Sequence, residues 1–271
     1  ENIMAYNSSF NLESMVVPLK AATVYAAHEA SQFLGGEIIP VVNIPAGSAS
    51  LQVPLMGSVT ATKLTSESQD DIANSVVTDT SVSIPAAIYA ARTVLRDLGG
   101  IDPSDIGRIL GNGVSAKFDE DVAAQLESAT ITNEIDTAGT VSLDFILEAV
   151  ETIRTAGEMG PLFGVLSPAM ATNLLKNIGT AAYAGSNFQG NALQNADLGV
   201  VGGVRFITSS YMTANQGTIF AGDAFRIGMF KNIDIEIGRR PEAVGNTVVG
   251  NLHAGVGLVD AARACRLYDV A

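Results

Sequence analysis

The stretch that most limits what this chain can fold into runs from Asp102 to Ser128, DPSDIGRILGNGVSAKFDEDVAAQLES. Asp102 followed by Pro103 and Asp105 makes a helix start: an N-cap side chain, a proline where no amide donor is missed, and a carboxylate in the first turn. Beyond it Ile106, Ile109, Leu110, Val114, Phe118, Val122 and Leu126 recur every three or four positions. This spacing predicts a helix over 103–128 with one apolar stripe, from which Arg108, Lys117, Asp119, Glu120 and Gln125 largely fall away. Gly107, Gly111 and Gly113 each cost about 1 kcal/mol relative to alanine in a helix interior, so tertiary packing holds this helix or another backbone comes close to it there. It reads as a spine between the N-terminal and C-terminal parts of the chain.

Residues 1–15 show little periodicity and read as an extended arm or a poorly ordered end. Leu19, Ala22, Val24, Ala26, Ala30 and Phe33 suit a short helix over 18–34 that stops at Gly35 and Gly36. From Glu37 to Pro85, prolines at 40, 45, 54 and 85 exclude helix, and the β-branched residues favour strands. The expectation is a long hairpin with an acidic tip near Glu67 to Asp71. Its middle is Ser, Thr, Ala and Gly, with too little apolar bulk for a core of its own. A two-stranded ribbon is marginal alone in water, so a long one needs a surface, either its own domain or a neighbouring subunit. Residues 86–96 fit strand or helix equally.

After the spine, 129–139 reads as a polar connection. Ser142 starts a helix carrying Asp144 in its first turn and Phe145, Ile146, Val150 and Ile153 for packing, ending near Gly157. Leu162 to Leu166 is an apolar strand, and Ser167-Pro168 opens another helix with Met170, Leu174 and Leu175 inward. Residues 183–197 read as a long loop. Strands are expected at 199–209, 218–221, 225–230, 233–237 and 247–259. Ile233, Ile235 and Ile237 alternate with Asp234 and Glu236, the pattern of a sheet with one wet face.

At 271 residues and 47% hydrophobic, the chain is long enough for two packed units. No apolar run approaches the roughly 18 residues of a membrane helix and no signal-peptide pattern is present, so a cytoplasmic protein is expected. A net charge of -13 argues against tight phosphate-backbone binding, which depends on Lys and Arg displacing counterions. Cys265 is the single cysteine, which excludes an internal disulfide and fits a packed thiol in a reducing compartment.

Motifs for chemistry are sparse. Gly111 to Ala116 has the letters of a dinucleotide fingerprint but lies inside the spine instead of after a strand, so no cofactor is expected. His28 and His253 read as structural, and nothing joins His253 to Cys265 as a nucleophilic pair. Asp119-Glu120-Asp121 and Asp70-Asp71 lack the spacing of a calcium loop and read as solvated faces, so no metal is expected. Arg239-Arg240 before Pro241 suits a salt-bridge anchor for an acidic neighbour. A projecting ribbon without a catalytic constellation suits an assembling protein better than an enzyme.

The order of these pieces resembles the major capsid protein of tailed bacteriophages, the Hong Kong 97-type fold. The resemblance is carried by Leu162 to Pro168 followed by Leu174-Leu175, by Gly199 to Gly203 leading into Phe206 to Ser209, and by Asn251 to Gly257 with Arg263 and Arg266 beyond. It implies an α+β fold: an N-terminal arm and short helix over 1–34, an extended hairpin, the E-loop, over about 43–85 with a flanking peripheral strand within 35–85, and a peripheral domain with the spine over 86–129. An axial α/β domain over 130–223 and closing peripheral strands over 224–271 complete it. The implied function is self-assembly as pentamers and hexamers into an icosahedral head around a double-stranded DNA genome, made in the host bacterial cytoplasm. Scaffolding, portal and cement proteins are the further partners it admits, with no membrane and no sequence-specific DNA contact. Lys63, Glu67, Asp70, Asp71, Arg239 and Arg240 are then the expected intersubunit contacts. An initiator methionine does not precede Glu1, which is compatible with the maturation cleavage of part of that family. Two alternatives stay open: an encapsulin-type shell around cargo enzymes, and an α/β enzyme or small-molecule binding protein with its site in 183–197.

Overall fold

The structure is a computed structural model that describes residues 12–44, 47–57, 59, 61–63, 76–96, 103–138, 140–178 and 199–269. Helix α1 (Leu12–Ala30) comes first, then strands β1 (Val41–Asn43), β2 (Ser50–Met56), β3 (Asp79–Pro85) and β4 (Ala87–Arg96). The spine, α2 (Pro103–Leu126), leads to β5 (Asn133–Asp136), α3 (Leu143–Thr155), β6 (Leu162–Leu166) and α4 (Pro168–Ile178). The remaining strands are β7 (Val200–Val201), β8 (Val204–Thr208), β9 (Gly217–Ala221), β10 (Phe225–Arg240), β11 (Gly245–Leu258) and β12 (Ala264–Tyr268).

The spine forms as its spacing requires, and Ile106, Leu110, Val114, Phe118, Val122 and Leu126 are all buried. Ile109 is the exception at 70% exposed. A second buried line takes its place: Gly107 and Gly111 press against α1, where a β-carbon would lie 2.8 Å from the Leu19 carbonyl oxygen and 2.5 Å from that of Thr23. The glycines thus let two helix backbones meet, offsetting their poor helix propensity by close packing. Gly113 faces Ala91 on β4 instead, at an ordinary 3.8 Å.

Several expectations are corrected. Helix α1 starts at Leu12, so part of the expected arm is helical, and it stops at Ala30, before the two glycines. Residues 86–96 are strand over most of their length. The polar connection after the spine contains β5, which pairs in parallel with β12, a strand with too little pattern of its own to be seen. The two strands expected over 225–237 are one 16-residue strand with register shifts between Met229 and Asp234. Asp102, the expected cap, lies outside the described residues, and Ser142 takes the N-cap position of α3 without a side-chain cap bond.

Three sheets result. One has the order β1-β10-β11-β4, one the order β5-β12-β9-β6-β8-β7, and β2 pairs with β3 alone. Helices α3 and α4 pack Ile146, Ile153, Met170 and Leu174 with Leu162, Leu166 and Ile219 of the six-stranded sheet. The alternate residues Val165 and Phe220 turn to a core shared with Phe118 and Leu126 of the spine. Gly202 and Gly203, at φ 58° and 84°, make the two-residue turn between β7 and β8, which needs positive φ at both central positions. The division at about residue 223 would put β12 with the peripheral strands, whereas it pairs with β5 and β9 in the six-stranded sheet.

Candidate assembly surface

The faces of the four-stranded sheet follow from strand alternation. Ile227, Met229, Leu252, Ala254 and Tyr89 lie on the side covered by α1 and α2. The opposite side carries the base of the β2–β3 hairpin. There Gly255 and Gly257 are so close to it that β-carbons would stand 2.2 Å from the Pro85 carbonyl oxygen and 2.8 Å from Ile84, while one on Gly228 would meet Leu51 at 3.3 Å. These three glycines form a flat seat on which Ile84 is fully buried.

Beyond that seat the ladder pairs Ser50 with Pro85 and Met56 with Asp79, and Gly57 N–H continues it to the Thr78 carbonyl. Among the described residues nothing covers this ribbon: Met56 is 78% exposed, Val76 86%, and Val59 and Val77 are also exposed. Exposed apolar residues on a two-stranded ribbon, which is marginal by itself, are the kind of surface that a further partner can cover. Lys63 is exposed on it, and Glu67, Asp70 and Asp71 lie outside the described residues. Arg239 and Arg240 end β10 on the surface, far from the seat. Arg240 Nε stands 3.8 Å from Glu242 Oε2, an exposed contact that contributes little. The expected contact residues therefore fall at two separated places: Lys63 on the ribbon and the arginine pair at the far sheet end.

Two joints fix the spine to the six-stranded sheet. Thr218 Oγ1 donates to the Leu126 carbonyl at 2.6 Å, and Thr213 Oγ1 donates to Glu127 Oε2 at 2.7 Å while its N–H reaches the same carboxylate. The first satisfies one of the carbonyls that a helix end leaves without a partner.

Asp119 is a residue the sequence misplaced. Expected on a solvated face, it is 1% exposed and accepts Ser31 Oγ at 2.6 Å and the Gln32 N–H at 3.0 Å. Burial raises its pKa, against the opposing pull of those bonds. Glu120 and Asp121 do face solvent, pairing with Lys117. The clue lay in Gly107, Gly111, Ser115 and Asp119, four small or polar residues at intervals of four, which form one ridge of a helix.

For chemistry, the described residues offer little. Cys265 is fully buried, and its thiol is pushed up to about 12 by burial and by the Glu148 and Glu134 carboxylates. It sits in the six-stranded sheet and His253 in the four-stranded one. Among the described residues no three His, Cys, Asp or Glu side chains gather to hold a metal, and no helix is long and apolar enough to cross a membrane. The rival site over 183–197 lies outside the described residues.

Comparison with solved structures decides the fold. The chain is similar to the capsid of the cyanophage P-SCSP1u, with 16% identity, a TM-score of 0.70 and 88% of each chain covered. It is similar also to the virus-like particle from Pyrococcus furiosus, at 13% identity and TM-score 0.69, covering 93% of this chain and 98% of that one.

This is the Hong Kong 97-type shell fold.

A third neighbour, the acid-stable capsid of Helicobacter pylori bacteriophage KHP30, shares 12% identity at TM-score 0.68 over 85% of this chain and 87% of that one. In sequence, no family model and no curated protein matches the chain. The shell fold therefore survives here at identities too low for sequence comparison to register.

Proposed function

We propose that the chain is the major capsid protein of a tailed phage and assembles as pentamers and hexamers into an icosahedral head enclosing double-stranded DNA. The observation that carries this is the uncovered ribbon, with Met56, Val59, Val76 and Val77 exposed, on a chain with the shell fold. A ribbon without its own support gains stability when a neighbour covers it, and a closed shell buries the same edge on every copy. Its work is geometric, not catalytic. The spine and four-stranded sheet form the peripheral domain, and α3, α4 and the six-stranded sheet the axial one, gathered around the symmetry axes. Lys63, Glu67, Asp70, Asp71, Arg239 and Arg240 serve as intersubunit contacts, the chain is made in the host bacterium, and it resides in the virion.

A second reading, a protein shell without a genome, is favoured by the likeness to the Pyrococcus virus-like particle over 98% of its chain. Electron microscopy and light scattering of the purified protein test both. Closed shells or rings of five and six support assembly, and DNA or protein inside them separates phage from cargo shell. A persistent monomer under assembly conditions would sink both.

A further inference from the structure

We propose that the outer edge of β4 pairs antiparallel with the same edge of a second copy, about a two-fold axis through Ala91, so that two four-stranded sheets become one of eight strands. Its role, joining one ring of subunits to the next, rests on the shell reading.

The two sides of this sheet are built differently. Beyond the three residues that pair with β1, the edge of β10 has register shifts up to Asp234 and carries Lys231, Asp234 and Glu236. Bulges and charges of this kind keep an edge from pairing. Strand β4, AIYAARTVLR, follows β11 from Ala87 to Arg96 without a shift. It holds no proline, and its only charges are Arg92 and Arg96. Among the described residues no strand pairs with its outer side. A long unbroken edge is a template for a further strand.

The side chains select the occupant. Tyr89 faces the helices, so Ile88, Ala90, Arg92 and Val94 alternate onto the opposite face, where Ile88 is 68% and Val94 36% exposed. Pairing about Ala91 puts Ile88 opposite Val94 of the second copy, twice, with Arg92 opposite Ala90 and Arg96 opposite Ala86. A shift of two residues either way would put Arg92 opposite itself or opposite Ile88, and like charges directly opposite destabilise a ladder. The edge is thus complementary to itself in one register.

The spine agrees. A β-carbon on Gly113 would meet Ala91 and one on Gly250 would meet Leu110, so α2 lies over the junction of β4 and β11. Ile109, 70% exposed, is one turn before Gly113 on the same face of the helix and so flanks the free edge. With strands about 4.8 Å apart, the spines of a pair lie about 10 Å apart, within reach of helix packing. Ile109 then gains a cover that its own subunit does not provide. A two-fold axis normal to the sheet also keeps both sets of helices on one side and both hairpins on the other, as the wall of a shell requires.

The experiment places charges across the pair. Positions 88 and 94 lie about 20 Å apart along one strand, so charges there meet only across the axis. I88K/V94K is expected to raise the critical concentration for closed shells at least about tenfold, as a loss of roughly 1.4 kcal/mol would. I88K/V94E sets opposite charges face to face and should return near the unaltered protein. Far-UV circular dichroism and melting temperature confirm that each variant is folded. I88C/V94C is the second measurement, independent of charge: on a non-reducing gel the assembled protein should run as a covalent dimer and no larger, the mark of a two-fold contact. I88K/V94K that assembles like the unaltered protein, or assembled I88C/V94C that stays monomeric or forms a ladder, would overturn the pairing while leaving the shell reading intact. Loss of shells in I88K/V94K without a dimer in I88C/V94C would assign the edge to a different segment. Covalent dimers of I88C/V94C from a chain that never closes into shells would keep the pairing and sink the shell reading, and a chain that does neither overturns both.

Discussion

Gly111 lies against Thr23 so closely that a β-carbon on it would meet the Thr23 carbonyl oxygen at 2.5 Å. Gly111→Ala would gain about 1 kcal/mol of helix propensity but must push α1 off the spine, an overpacking that costs about 1–3 kcal/mol. The net expectation is a lower melting temperature. Gly113→Ala provides the control, because its β-carbon meets only Ala91 at 3.8 Å, and it should stabilise by about 0.5–1 kcal/mol. Thermal unfolding of both variants checks the pair, and equal effects would mean the helices are not in contact as described.

Asp119 links the spine to the segment after α1 and is buried, with its pKa raised chiefly by desolvation. A carboxyl whose folded pKa is above its unfolded one adds stability below the unfolded value, about 4, and that contribution is lost as pH rises through the folded value. Asp119→Asn removes this dependence, so its stability relative to the unaltered protein should improve from about pH 4 upward across that window. Asp119→Ala leaves Ser31 and Gln32 without their acceptor and should cost about 1–3 kcal/mol. Denaturant titrations at several pH values measure both, and parallel pH curves for the unaltered protein and Asp119→Asn would refute the assignment.

Val244 adopts φ 46° and ψ 56° at the corner between β10 and β11. This left-handed conformation costs a β-branched residue about 1–2 kcal/mol. Val244→Gly should therefore raise the unfolding free energy by about 0.5–1 kcal/mol, after glycine's greater entropy loss is set against the relieved strain. A fall in melting temperature would show that the valine side chain contributes more than its backbone costs.

Cys265 should resist thiol reagents in the native state, because it is buried and its thiol is held up at about 12. Labelling near neutral pH should be negligible until guanidinium unfolds the protein, and then reach one group per chain, the single cysteine. Rapid native labelling would mean that β12 detaches from its sheet.

Much of the fold is written in local patterns. The spine, α3, β6 and α4 each carry a start signal or an apolar rhythm, and these survive into the structure within a few residues. What escapes is whatever depends on a partner distant in sequence. Residues 133–136 carry a single apolar side chain, Ile135, and become β5 because 265–268 lie beside them. Asp119 looks like a surface residue until α1 folds over Gly107 and Gly111, and Ile109 looks like core because periodicity alone does not say how wide the covered face is. The ribbon is legible from its prolines and β-branched residues. Its seat is not, since Gly228, Gly255 and Gly257 gain meaning only when Leu51, Ile84 and Pro85 lie against them.

The strand order has a consequence for synthesis. Both inner strands of the four-stranded sheet, β10 and β11, and β12 within the six-stranded sheet all come after residue 224. A nascent chain that has emerged only that far has helices and hairpins but neither sheet complete, and its hairpin has no seat, because Gly228, Gly255 and Gly257 are still to be made. Fragments left by aborted translation thus lack the platform that displays the ribbon. The support of the ribbon is therefore the last part of the four-stranded sheet to leave the ribosome.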